Sequence, residues 1–179
     1  MSKYSISLKY GLLAGIVMIA ILMLIYIVSS GSLASFITMV VYMPLIFCMI
    51  WGGITYRREH KTFKSFTEAF LIVYIISLTA TFMFDTYGYI LYKVIDPSLP
   101  EVIKVKAIEN ASAMMEKFGT PNDKMEEALK QMEEQDYTPT LKTQAIRYGT
   151  SIVLGAIFSA LIALFVRRRD DIPVVKPEA

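Results

Sequence analysis

Residues 66–92 read FTEAFLIVYIISLTATFMFDTYGYILY. Only Glu68 and Asp85 carry charge in that run, and most of the remainder is aliphatic or aromatic. A bilayer core about 30 Å thick needs roughly 20 mostly apolar residues in a helix, so the run predicts a membrane span. Three further stretches, 10–28, 33–56 and 143–166, meet the same condition. Composition agrees, with 55% hydrophobic residues, 19% charged and a mean hydropathy of +0.49. Soluble domains carry about 25% charge, and disorder, collagen and disulfide scaffolds have other signatures, so all are excluded. The expected fold is all-α, a polytopic membrane protein with four transmembrane helices in one domain, 1–179. A net charge of +2 with scattered basic residues gives no case for nucleic acid as a partner; the lipid bilayer is the expected one.

Lys3 and Lys9 precede the first span, as they would in a secretory signal. The apolar core 12–28 exceeds the roughly 7 to 15 residues of a signal, and Val28-Ser29-Ser30-Gly31 is a poor cleavage site, so the first helix is expected to stay. Basic residues near span ends resist translocation. Lys3 and Lys9, then Arg57, Arg58, Lys61 and Lys64, then Arg167, Arg168, Arg169 and Lys176 all fall on one side, whereas the connection 29–32 has none. Both termini, with the tail 167–179, should therefore be cytoplasmic and the segment 93–142 outside.

That outer segment predicts a helical hairpin over about 96–136. Asp96-Pro97 offers an N-cap and first-turn proline. Ile103, Ala107, Ile108, Ala111, Met114, Met115 and Phe118 form one apolar stripe, and Gly119 is a C-cap candidate. Thr120-Pro121-Asn122-Asp123 resembles a capping box opening a second helix, whose narrower apolar face is Met125, Ala128, Leu129 and Met132. The stripes should turn toward each other or the bilayer surface, leaving Met114 and Phe118 less exposed than Glu109 and Glu116.

Residues that could carry chemistry are few. Cys48 lies in the second span, and the one histidine, His60, sits beside Arg57 and Arg58 without a second ligand or nucleophile, as a solvated loop residue would. The methionines of the outer segment fall on apolar stripes, where gap filling explains them better than Cu(I). No phosphate-binding loop, dinucleotide fingerprint or hydrolase motif occurs, so no cofactor, metal or catalytic residue is expected. Topology accounts for the basic inner connection better than lipid binding does.

Small residues recur at helical spacing, Gly11 and Gly15 in the first span and Ser151, Gly155, Ser159 and Ala163 in the fourth, and mark packing ridges, expected within one chain. Pro44 predicts a kink in the second span. In the third, Thr67, Tyr74, Ser77, Thr81, Asp85, Gly88 and Tyr92 share a stripe that should face the other helices, because polar groups turned to lipid lose their partners. Equal depth makes Asp85 and Arg147 expected neighbours near the outer leaflet. Ser77, Thr81, Asp85 and Arg147 together form a candidate intramembrane polar face.

Tyr10-Gly11-Leu12 with Gly15, Tyr56-Arg57, Phe63-Lys64-Ser65-Phe66 with Ala69-Phe70, and Tyr92 followed by Ile95-Asp96-Pro97 complete the reading. On these residues the chain resembles a family of small four-helix inner-membrane proteins of Gram-negative bacteria, catalogued as a domain of unknown function. The resemblance implies no catalytic or binding residues, and it implies a genomic setting near a membrane-associated glycosyltransferase. The expected function is a non-catalytic partner or scaffold in the inner membrane, not an enzyme. The alternative is a small transporter or flippase subunit using the polar face.

Overall fold

The computed structural model describes residues 4–28, 33, 36–60, 63, 65–135 and 137–167, with backbone alone at 36–38. Helix α1 spans Ser5–Val28, a 3-10 helix Phe36–Tyr42 leads into α2 at Met43–His60, and α3 spans Phe66–Ile90. A single π-helical turn, Leu91–Ile95, extends α3, and then come α4 at Leu99–Lys117, α5 at Asn122–Glu134 and α6 at Leu141–Arg167. No strand occurs among the described residues. Four segments are long and apolar enough to cross a membrane, Ser5–Val28, Met39–His60, Phe66–Ile95 and Leu141–Arg167. The expected first connection (29–32), the tail beyond Arg167, and Lys3, Lys61 and Lys64 lie outside the described residues.

Helix α3 is the axis of the bundle. It packs against α1, α6 and α2, and α2 in turn touches α1 and α6. Three stacked clusters fill the interior. Tyr56, Phe63, Ala69, Ile72 and Val166 form one end, Met18, Val41, Cys48, Met49, Val73 and Ile76 the middle, and Leu22, Leu33, Leu91 and Leu99 the other end. The outward faces stay apolar, with Leu13, Leu24, Phe47, Ile157 and Phe165 among many exposed residues, as a lipid-facing surface requires.

Lipid tails are as apolar as leucine, so these helices gain nothing hydrophobic by touching each other and associate through close contact. The small residues supply it within the chain. A Cβ at Gly11 would lie 2.7 Å from the Thr79 Cβ and 3.0 Å from the Ile76 carbonyl oxygen, so α1 crosses α3 nearly backbone to backbone. A Cβ at Gly155 would come within 2.9 Å of the Ser77 hydroxyl oxygen, which sets α6 equally close on the neighbouring face.

Polar groups fix the helix ends. Ser65 caps α3 by accepting from the Glu68 amide at 3.2 Å, and the Glu68 carboxylate accepts from the Tyr56 hydroxyl at 2.9 Å. Arg57 donates to the Val166 carbonyl at 3.1 Å, satisfying a last-turn acceptor of α6. His60 is the last residue of α2 and stacks on Tyr56 with centroids 4.2 Å apart. This corrects its reading as a loop residue, since Tyr56 and His60 are i, i+4 neighbours on a helix longer than its apolar run.

Other expectations change in similar ways. Pro44 is the second residue of α2 and directly follows the 3-10 helix Phe36–Tyr42, so the helix type changes beside the expected kink. Asp96 does not cap α4, which begins three residues later with Pro100 in its first turn. Instead its carboxylate accepts from the Ser98 amide at 3.1 Å and from the Tyr26 hydroxyl at 3.0 Å, clamping α1 to the turn after α3. The Ser98 and Tyr26 hydrogen bonds hold the Asp96 carboxyl below the usual carboxylate range.

Gly119 does end α4, at φ +67°, with its amide on the Glu116 carbonyl and the Thr120 amide on the Met115 carbonyl, both at 3.0 Å. The capping box at Thr120 does not form. Pro121 takes the N-cap position of α5 and makes no side-chain cap. A reciprocal cap instead opens α6, where Thr140 Oγ1 accepts from the Thr143 amide at 3.1 Å and Thr143 Oγ1 accepts from the Thr140 amide at 2.8 Å. Ile103 and Ala111 are half-buried, but Met114 is 46% and Phe118 74% exposed, so the stripe is open toward Gly119.

Gly11→Ala is expected to destabilise the protein by about 1–3 kcal/mol through overpacking. Gly149→Ala, where nothing lies within 4 Å of the added Cβ, should instead stabilise by roughly 0.5–1 kcal/mol. Equilibrium unfolding in detergent micelles reads both, and equal effects would contradict the close crossing of α1 and α3.

Candidate functional site

The polar residues of α3 meet α6 along one seam. Ser77 is 2% exposed and lies against Gly155. Thr81 donates to the Ser77 carbonyl one turn back, at 2.8 Å, so its hydroxyl is satisfied within its own helix. Asp85, 5% exposed, accepts from the Ser151 hydroxyl at 2.7 Å through Oδ2. Gln144 donates through Nε2 to the Asp85 backbone carbonyl at 3.1 Å and is itself buried. Thus two α6 side chains, Ser151 and Gln144, hold the backbone and carboxylate of one α3 residue.

Arg147 stands between them on α6. Its guanidinium acts on the Asp85 carboxylate through space without reaching ion-pair contact, and its carbon lies 5.9 Å from the Tyr92 ring centroid, within cation–π range. The carboxylate's direct partner is a hydroxyl, and the cation is held by an aromatic face. Arg147 follows the start of α6 at Leu141 by six positions, about 9 Å along the axis, which places it near the end of the span. A carboxylate here costs less than the roughly 2.5–3.5 kcal/mol of a mid-membrane charge.

Two concavities adjoin the seam. A cavity of about 230 Å³ lies where the π-helical turn and α4 face the start of α6, lined by Tyr92, Pro100, Ile103, Tyr137, Gln144 and Arg147 among others. A wider groove of about 630 Å³ runs along α3 between α1 and α6, lined by Leu12, Leu78, Thr81, Phe82, Tyr148 and Ser151 among others. Thr86 and Tyr148 share a 2.8 Å hydrogen bond beside it, and Phe82 stacks on Tyr148.

The sequence singled out Ser77, Thr81, Asp85 and Arg147. All four lie along the α3–α6 seam, with Asp85 and Arg147 close in charge but not in contact. Ser151 entered the reading only as a packing position, and Gln144 not at all. Gln144, Arg147 and Ser151 are spaced by three and four residues on an otherwise apolar helix, and that polar periodicity was the available signal. Among the described residues no group of three or more His, Cys, Asp or Glu is arranged to hold a metal ion.

A family model described as "Protein of unknown function (DUF4199)" matches residues 9–168. The chain belongs to that family. The DUF4199 match takes in nearly all of α1, the whole α3–α6 seam and the α4–α5 segment, so the site lies inside the family's shared region. No curated protein and no solved structure matches the chain.

Ser151→Ala removes the hydroxyl donor of a buried carboxylate and is expected to cost about 1–3 kcal/mol in micelle unfolding. In an Asp85→Asn background the same change should cost clearly less, because the two residues share one interaction. Equal costs in both backgrounds would refute the assignment of Ser151 as the partner of Asp85.

Proposed function

We propose that this DUF4199 protein is a non-catalytic partner or scaffold for another protein of the inner membrane, with both termini cytoplasmic and α4 and α5 outside. The observation that carries the reading is the open surface of α4 and α5. Leu99 and Pro100 are the only buried residues of α4, and α5 has none. Val105, Met114 and Phe118 are exposed on a segment outside the apolar spans, next to Glu109, Glu116 and Lys117. Apolar side chains rimmed by charge are the usual make-up of a protein-binding surface. The partner class implied by the family resemblance is a membrane-associated glycosyltransferase.

A narrower observation favours a second reading, a small transporter or flippase subunit, since the groove along α3 reaches Thr81 and Ser151. In a Cys48→Ala background, Thr81→Cys should react with a membrane-impermeant thiol reagent if the groove conducts a polar substrate and stay protected if lipid fills it.

Purification from native membranes at normal abundance should yield a stable complex that Met114→Glu with Phe118→Glu disrupts while the four-span bundle stays folded. A protein that runs alone, or a complex indifferent to both changes, would overturn the scaffold reading. Reporters placed after Ala179 and near Gly119 should sit on opposite sides of the membrane, the first inside. An external C-terminus would overturn the orientation.

A further inference from the structure

We propose that the cavity between the π-helical turn and the start of α6 binds a phosphate group through Arg147, Tyr92 and Tyr137. The inference is independent of the scaffold reading. Arg147 is exposed and, among the described residues, donates to no acceptor through any of its five N–H groups, although it lines a defined cavity. Tyr92 and Tyr137 line the same cavity, and neither hydroxyl has a hydrogen-bond acceptor among the described residues.

The protein fixes the cation without using its donors. The Tyr92 ring holds one side of the guanidinium, while Ser151 takes the direct hydrogen bond of the Asp85 carboxylate and leaves the guanidinium donors unclaimed. Gln144 is tied to the Asp85 carbonyl, which fixes the floor of the cavity. A planar guanidinium with free N–H groups matches an oxyanion, and charge-assisted bonds of this kind are about twice as strong as neutral ones. Donors on three walls, α6, the π-helical turn and the segment before α6, suit a tetrahedral phosphate, whose oxygens diverge, better than a planar carboxylate. The position near the end of the α6 span is where phospholipid phosphates lie, and it is also open to a soluble phosphate ester.

The test uses the full chain in detergent, titrated with dioleoyl phosphatidic acid or with phosphate-free dioleoylglycerol and read by native mass spectrometry. One phosphatidic acid should bind in clear preference to the diacylglycerol. Asp85→Asn should bind it at least as well as the unmodified chain, because a nearby repelling carboxylate is gone. Asp85→Asn with Arg147→Gln, which strands no buried charge, should lose about tenfold in affinity. If that variant does not fold, Tyr137→Phe, which removes only a cavity hydroxyl, should still lower affinity about threefold. Millimolar inorganic phosphate that displaces the lipid identifies a soluble phosphate as the ligand, and failure to displace it identifies the headgroup. Equal binding of the two lipids, or unchanged binding in the Arg147→Gln or Tyr137→Phe variants, overturns the proposal.

Discussion

Close approach of α3 to α1 and α6 is the constraint on which the rest of the molecule depends. In a membrane the apolar side chains have no preference for one another over lipid, so contact distance decides which helices pair. Gly11 lets α1 reach the Thr79 side chain and the Ile76 carbonyl, and Gly155 lets α6 reach Ser77. With both neighbours held at that distance, α2 closes the layer through Gly52 against Ile76 and Gly53 against Val166. The exposed apolar residues on the outside can vary in shape without disturbing this geometry. The glycines on the inside cannot.

The same closeness explains how a carboxylate survives near the end of the span. Once Gly155 sets the α3–α6 distance, Ser151 and Gln144 fall within hydrogen-bond reach of Asp85, one turn and about three turns along α6. The charge is then matched by a hydroxyl in contact and a guanidinium at longer range, instead of by a desolvated ion pair, which would require stripping water from both partners. This arrangement leaves Arg147 lining the cavity without an ion pair in contact. Polar chemistry and packing are therefore one feature here, seen at two levels.

Much of the fold was legible because membrane spans are written in long apolar runs, and these need no tertiary context to be recognised. The four spans, the glycine ridges and the α4 terminus at Gly119 follow from residue types alone. The start of α2, the start of α4 and the opening of α6 were not legible in detail. The start of α2 follows a 3-10 helix that residue types do not announce, α6 opens on the reciprocal Thr140–Thr143 cap, and at α4 Ser98 takes the N-cap position without a side-chain cap. Asp96 was the stronger cap on sequence grounds, but Tyr26 from α1 takes its carboxylate, and that contact is invisible until the helices are placed. In the site, Asp85 and Arg147 were legible as the two charges at matching depth. Their intermediaries were not, because serine and glutamine on a membrane helix read first as packing residues.

The α3–α6 contact is tested most directly by a covalent bridge. An ideal Cβ at Gly155 lies 3.8 Å from the Ser77 Cβ, inside the 3.5–4.5 Å range typical of disulfides. In a Cys48→Ala background, Ser77→Cys with Gly155→Cys should form an intrachain disulfide in native membranes under mild oxidation. It would be detected as a reversible mobility shift of the monomer on a non-reducing gel. Failure to form it in a chain that still inserts and folds, or bridging only between two copies, would contradict the account.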